Sequence, residues 1–113
     1  MKYQHRELAS GRWKNLSFPE QMANIGSEVE RKIIWKNKKN TSYGQKAMER
    51  ALELLSFTIA DRKNRNRLKE LTRLREVLID YFFGQNQYSS SDRLWQKYFY
   101  AFTYFSRINI GNS

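Results

Sequence analysis

A chain of 113 residues without cysteine has the length of one domain, and it can form neither a disulfide nor a thiolate metal site nor a thiol nucleophile. Hydrophobic residues make up 40% of the chain and aromatic residues 15%, which argues against disorder of the whole chain. Lys and Arg number 21 against 11 Asp and Glu, a net charge of +10 that attracts polyanions but specifies no fold or reaction.

Signals for membrane insertion or secretion are absent from the sequence. The first residues, 1–6, are polar, and no apolar stretch follows that would serve as a signal peptide. The longest nearly apolar run, residues 98–105, is much shorter than the roughly 20 residues of a membrane-spanning helix. We therefore expect a cytoplasmic protein with no membrane contact.

Residues 1–15 show weak periodicity, which predicts an N-terminal arm or a short helix ahead of a single domain over residues 16–113. Within this domain, four stretches repeat apolar residues at spacings of three and four, the pattern of amphipathic helices. The sequence therefore predicts four helices.

The first predicted helix opens at Ser17, where Glu20 completes a capping box and Pro19 suits the first turn. Gly26 would allow close contact with another helix, and the helix should end in the Lys- and Asn-rich segment 36–42. Its inward stripe consists of Met22, Ile25, Val29 and Ile33.

The second predicted helix covers residues 43–60, and the third begins in or just after the basic segment 62–69 and stops at Gly84. The inward residues of the second are Met48, Leu52, Leu55 and Ile59, widened by Ala47, Ala51 and Leu54. Those of the third are Leu68, Leu71, Leu74, Leu78 and Phe82.

Arg75 falls inside the apolar stripe of the third helix. A buried guanidinium there would need an ionised partner, which Glu28 or Glu53 could provide. The interpretation that we favour places Arg75 at the edge of the stripe, with its charged end in water.

The fourth predicted helix is capped by Ser91 or Asp92 and continues to about Asn109. Its inward residues are Leu94, Trp95, Tyr98, Phe102 and Phe105. Because every connection is short, consecutive helices should be antiparallel. The predicted fold is all-α, an up-down-up-down four-helix bundle with an N-terminal arm.

Residues suited to catalysis or metal binding are scarce. His5 is the only histidine, and it lies in the weakly organised N-terminal segment. Glu76 and Asp80 share a helix face, but Lys69 and Arg73 share it too, which favours an ion-pair ladder over a metal site. We expect no catalytic residues, no metal and no cofactor, and hence a protein that is not an enzyme.

Two segments concentrate positive charge. Residues 62–69 contain five cations and no anion, with Asn residues that can donate hydrogen bonds, and residues 31–46 contain six cations and no carboxylate. Each phosphate that such cations neutralise releases a counterion, so several contacts together give substantial binding. The candidate nucleic-acid-binding residues here are Arg62, Lys63, Arg65, Arg67, Lys69, Lys36, Lys38 and Lys39.

The fourth helix carries a second stripe, in which cations alternate with tyrosines. Its residues are Arg93, Lys97, Tyr100, Tyr104 and Arg107, at spacings of four, three, four and three. Such a face suits single-stranded nucleic acid, with phosphates on the cations and bases stacked on the rings. Packing on a neighbouring helix or a homo-oligomer interface is the interpretation that we favour for the stripe taken by itself. Trp13 and Trp35 also stand among cations.

A resemblance extends over most of the chain, from Leu16 to Arg107. It rests on the segments Glu49-Arg-Ala-Leu-Glu-Leu-Leu, Arg67-Leu-Lys-Glu-Leu-Thr-Arg-Leu-Arg-Glu and Asp80-Tyr-Phe-Phe-Gly. These resemble a group of small helical proteins without a known activity. The fold is also similar to HEPN bundles and to ribosomal-RNA intervening-sequence bundles. HEPN ribonucleases use an arginine followed closely by a histidine, whereas His5 precedes every arginine here.

The sequence therefore predicts a basic helical bundle, not an enzyme, that binds nucleic acid, RNA rather than duplex DNA, as an accessory subunit of a nucleoprotein complex. The alternative is a protein-interaction module, an adaptor or antitoxin-like subunit that binds an acidic protein, and a homo-oligomer is a further option. A nuclease that uses Arg75, Glu76 and Asp80 is the least favoured function.

Overall fold

The computed structural model describes residues 11–111, with side chains described as far as Ile108. The described residues form four α-helices, α1 (Phe18–Asn37), α2 (Thr41–Ala60), α3 (Leu68–Phe83) and α4 (Asp92–Gly111). Two short 3₁₀ helices, Arg12–Asn15 and Arg62–Arg67, precede α1 and α3. Residues 11–111 contain no strand, so the predicted all-α class is confirmed.

The predicted start of α1 is confirmed in its hydrogen bonds. The Ser17 hydroxyl accepts from the Glu20 backbone N–H at 3.2 Å, and the Glu20 carboxylate accepts from the Ser17 backbone N–H at 3.0 Å. This reciprocal capping satisfies two of the backbone donors that a helix start leaves free. The apolar stripe that follows it, from Met22 to Ile33, is buried as predicted.

Contacts between side chains establish the topology. Glu28 on α1 binds Arg50 on α2 at 3.1 Å, and further along α1 the ring of Trp35 packs against Tyr43 near the start of α2. The two helices therefore run antiparallel.

α4 is also antiparallel to α1, because Phe18 at the start of α1 packs against Phe102 and Lys36 near its end binds Asp92. α3 runs parallel to α1, since Arg67 lies over Phe18 and Tyr81 lies beside Lys36. The bundle is up-down-up-down, with α1 packed along both α2 and α4.

Gly26 provides the close helix contact that the sequence predicted, between α1 and α4. A Cβ atom on Gly26 would lie 2.6 Å from the Cβ of Phe99 and 2.8 Å from its ring. Real Cβ atoms do not approach that closely, so only glycine fits at this crossing. Phe99 is 4% exposed, a core residue that the sequence analysis missed.

The predicted inward face of α4 is partly wrong. Leu94 and Phe105 are 56% and 55% exposed, while Phe99 and Ser106 are buried in their place. The cause is the notch at Gly26, which receives Phe99 and so sets the rotation of the helix about its axis. Leu68, also predicted to point inward, is exposed in the first turn of α3.

Arg75 is exposed, in agreement with the edge interpretation. The carboxylate of Glu28, one of its two predicted partners, binds Arg31 at 2.7 Å and Arg50 at 3.1 Å.

Candidate nucleic-acid interface

A group of buried polar side chains lies under the two 3₁₀ helices, at one end of the bundle. Gln21 on α1 is fully buried, and its amide N–H groups donate to the Trp13 carbonyl and to the Asp61 carboxylate, both at 2.9 Å. Its amide oxygen accepts a hydrogen bond from Asn64 at 2.9 Å. One side chain of α1 therefore holds both 3₁₀ segments in place.

Thr58 on α2 extends this network. Its hydroxyl accepts from the indole N–H of Trp13 at 2.9 Å, and its carbonyl accepts from the Asn64 amide at 2.9 Å. Trp13 and Asn64 are each 2% exposed. Because every member has a partner, these buried polar groups rigidify the end of the bundle instead of weakening it.

Asp61 carries the one negative charge of the network. Burial disfavours its ionised form, but hydrogen bonds from Lys63 and Gln21 outweigh burial and lower the pKa of Asp61 below 3.8. The Lys63 ammonium donates to Asp61 at 2.7 Å and to the backbone carbonyl of Lys14 at 2.8 Å. Lys63 thus joins segments that are 49 residues apart along the chain.

The network brings two short basic segments together, a juxtaposition that the sequence analysis missed. We call this cluster the basic end, and its residues are Arg12, Lys14, Arg62, Lys63 and Arg65, all exposed. Within the described part of the chain, Arg62 and Arg65 take part in no ion pair. The sequence signal for this juxtaposition was the tryptophan flanked by two cations. When Trp13 is buried against the bundle, its neighbours Arg12 and Lys14 must lie at the surface beside it.

Other predicted residues of segment 62–69 are less available to a ligand. The guanidinium of Arg67 lies 4.2 Å from the ring centre of Phe18 and 3.9 Å from the Glu70 carboxylate. Asn64, one of the two Asn residues of this segment, is buried and donates its hydrogen bonds inside the protein. Lys69 is exposed on the first turn of α3.

The second predicted cluster, Lys36, Lys38 and Lys39, lies at the opposite end of the bundle. Lys36 lies in the last turn of α1, and Lys38 and Lys39 directly follow that helix. α1 has 20 residues and is about 30 Å long, which is the distance that separates this cluster from the basic end. The structure therefore does not unite the two basic segments of the sequence into one surface.

Lys36 has a structural partner of its own. Its ammonium donates to Asp92 at 2.6 Å and to the Tyr81 hydroxyl at 3.3 Å, and Tyr81 also donates to Asp92 at 2.6 Å. Burial opposes ionisation of Lys36 and Asp92, yet their contact outweighs it, raising the pKa of Lys36 and lowering that of Asp92. This cluster ties the start of α4 to α1 and α3.

The tyrosine and cation stripe of α4 faces solvent. Tyr100 and Tyr104 are 65% and 53% exposed, so neither is a core residue of the bundle, and Arg93, Lys97 and Arg107 are exposed as well. Since Phe102 packs on Phe18, the second half of the stripe lies at the same end of the bundle as the basic end. Of the two tryptophans noted in the sequence, Trp13 is buried and Trp35 is half-buried.

A groove of about 550 Å³ separates α1 from α4 beside this stripe. Gly26, Trp95 and Phe99 line it together with Tyr100 of the stripe and with Glu30, whose carboxylate accepts from the Gln96 amide at 3.2 Å. A carboxylate at this position repels phosphate, so of these lining residues only the exposed Tyr100 is included in the interface.

The paired carboxylates of α3 are engaged by the protein itself. Glu76 accepts from the Tyr88 hydroxyl at 3.0 Å and lies 4.0 Å from Arg73. Asp80 accepts the backbone N–H groups of Gln87 and Tyr88. Among the described residues, no group of three or more His, Cys, Asp or Glu could hold a metal ion. His5 lies outside the described residues.

Comparisons with known proteins give no match to this chain among protein-family models, curated proteins or solved structures. In residues 11–111, no helix combines the length and the apolar character needed to cross a membrane.

We expect Asn64→Ala to lower the free energy of unfolding by about 1–3 kcal/mol, because it leaves the buried Gln21 side-chain oxygen without its donor and removes one of two hydrogen bonds to the Thr58 carbonyl. Asn66→Ala is the matched control, since Asn66 is exposed on the same 3₁₀ helix, and it should change stability by less than about 0.5 kcal/mol. Urea unfolding followed by circular dichroism measures both. Equal stability of the two variants would contradict the structural role of Asn64.

We expect the stability difference between wild type and Asp61→Asn to depend on pH. A carboxyl whose pKa is lowered by folding stabilises the protein above its ordinary pKa of 3.8, and this contribution is lost as the pH falls through the lowered value. The wild type should therefore be the more stable protein near neutral pH, and its advantage should shrink below pH 3.8. Urea unfolding of both proteins near neutral pH and again below pH 3.8 tests this. The same difference in unfolding free energy between wild type and Asp61→Asn at the two pH values would contradict it.

Proposed function

We propose that this protein binds RNA through the basic end and acts as an accessory subunit of a nucleoprotein complex, not as an enzyme. The observation that carries the proposal is the buried network of Gln21, Thr58 and Asn64, which fixes cations from two distant segments in one exposed patch. Rigid placement matters because cations that are already ordered lose less entropy on binding a phosphate backbone.

Electrostatics supports a polyanionic ligand. Arg62 and Arg65 face solvent without an ion-pair partner in the described part of the chain, and the carboxylate beside them, Asp61, is buried and bound to Lys63. Their charge is therefore available to phosphates, and each contact contributes through release of a condensed counterion.

The stripe of α4 favours a single strand over a duplex. Tyr100 and Tyr104 expose their rings one turn apart, and Lys97 and Arg107 lie on the same face. Unpaired bases can stack on such rings while the cations meet the phosphates, whereas the bases of a duplex are stacked on each other. The proposed site thus joins the basic end to the stripe and leaves out Lys36, Lys38 and Lys39.

We expect Arg62→Glu combined with Arg65→Glu to weaken RNA binding at least about tenfold and to flatten its salt dependence by about 0.7 for each lost phosphate contact. Fluorescence anisotropy with a labelled oligo(U) of about 20 nucleotides, titrated at several salt concentrations, measures both quantities. Lys63 is kept in this variant because its ammonium belongs to the network.

Lys38→Glu combined with Lys39→Glu is the matched control, with the same charge change at the other end of the bundle. It should leave the slope of the salt dependence unchanged. Equal losses in the two variants would mean that net charge alone drives binding, and no loss in the first would remove the basic end from the site.

We expect Tyr100→Ala combined with Tyr104→Ala to reduce affinity for oligo(U) by about 1–3 kcal/mol for each stacked base, without changing affinity for duplex RNA. Tyr43→Ala is the control, because Tyr43 is similarly exposed, at 50%, but lies at the start of α2. The same anisotropy assay with both probes measures the effect. Parallel losses on single-stranded and duplex RNA would contradict base stacking.

A further inference from the structure

A second face of α4 is apolar. Its residues, which we call the α4 seam, are Leu94, Tyr98, Ala101, Phe105 and Ile108, at spacings of four, three, four and three. Tyr98 is half-buried and packs on Trp95 and Phe102, so it forms the inner edge of the seam. Leu94, Phe105 and Ile108 are 56%, 55% and 36% exposed. Side chains at this spacing line one side of a helix, and apolar patches of this kind mark interaction surfaces on soluble proteins.

The spacing selects a helix as the occupant of the seam. A repeat of four and three residues is the heptad pattern by which two helices pack along each other. The seam extends from residue 94 to residue 108, about 21 Å along the helix axis. A partner helix of four turns covers this length.

The charges around the seam select an acidic partner. Residues 93–111 contain no Asp or Glu, while Arg93, Lys97 and Arg107 are exposed on the same helix. The carboxylate at the start of α4, Asp92, is bound to Lys36 and Tyr81. Carboxylates on the partner would therefore meet cations whose one acidic neighbour on α4, Asp92, is already bound to Lys36 and Tyr81.

Charge also argues against a second copy of this chain. A second α4 would bring the same cations to the interface, with no carboxylate in residues 93–111 to offset them, and each chain carries a net charge of +10. Repulsion between like charges opposes such a pair.

We propose that the α4 seam docks an amphipathic helix of a partner protein, with apolar residues at heptad spacing and Asp and Glu on the side that meets Arg93 and Lys97. The seam is separate from the basic end, but Arg93, Lys97 and Arg107 belong to the stripe of the proposed RNA site, so a docked partner would cover cations that the stripe otherwise offers to RNA. The docking itself does not require bound RNA.

The test uses three labelled peptides of about 20 residues, each long enough to cover the seam. The first has Leu at the heptad a and d positions and Glu at e and g, the second has Lys in place of Glu, and the third has the composition of the first in scrambled order. We expect the full-length protein to bind the first peptide in fluorescence anisotropy, and to bind the second and third at least about tenfold more weakly.

Two variants locate the binding. Leu94→Ser combined with Phe105→Ser should weaken the first peptide at least about tenfold. Phe83→Ser, which removes an equally exposed phenylalanine from the end of α3, should leave it unchanged. Circular dichroism and light scattering verify that each variant keeps the fold and mass of the wild type.

A third variant tests the charge argument. Arg93→Glu combined with Lys97→Glu should transfer the preference from the Glu peptide to the Lys peptide. An unchanged preference would overturn the acidic character of the partner.

Several results would overturn the docking proposal. Equal binding of the scrambled peptide, or no binding of the first peptide, would remove the helical partner. A wild-type dimer that the Leu94 and Phe105 variant converts to monomer would make a second copy the occupant. Loss of oligo(U) affinity in that variant, with peptide binding retained, would assign the seam to nucleic acid.

Discussion

The buried amide of Gln21 is the contact on which the functional end of this bundle depends. It donates to Trp13 and Asp61 and accepts from Asn64, so one side chain joins α1 to both 3₁₀ helices. Burying these polar groups is unfavourable unless each of them has a hydrogen-bond partner, so the hydrogen bonds of the network must form together. The two basic segments are therefore held in one arrangement relative to each other.

That geometry separates cations that build the structure from cations that face a ligand. Lys63 binds the buried Asp61, and Lys36 binds Asp92 and Tyr81, so their charge is largely used within the protein. Arg62 and Arg65, in the same run as Lys63, point outward because the backbone there is held by Asn64. A count of charges along the sequence cannot make this distinction, since the burial of Asp61 beside Lys63 and the distant Asp92 beside Lys36 decide it.

The helices were predictable from sequence because their signals are local. Ser17 and Glu20 define the start of α1 within one turn, and apolar spacing defines its buried face. The rotation of α4 was not predictable in the same way, since Leu94 and Phe99 are both apolar and only the notch at Gly26 on another helix selects Phe99. The polar network escaped prediction for a related reason. Gln21 in α1 and Asn64 in a basic segment are polar residues of the kind found at a surface, and their burial depends on Trp13, which lies outside the predicted domain.

The same distribution of contacts leaves α4 as the helix most open to partners. Its inner face is committed to α1 through Phe99 and Phe102, and its start is fixed by Asp92. α3 packs mainly on α2. The outward residues of α4 are exposed, and the tyrosine and cation stripe lies next to the apolar seam. Because the second half of α4 lies at the basic end, one rigid helix would offer adjoining surfaces to a nucleic acid and to a protein partner.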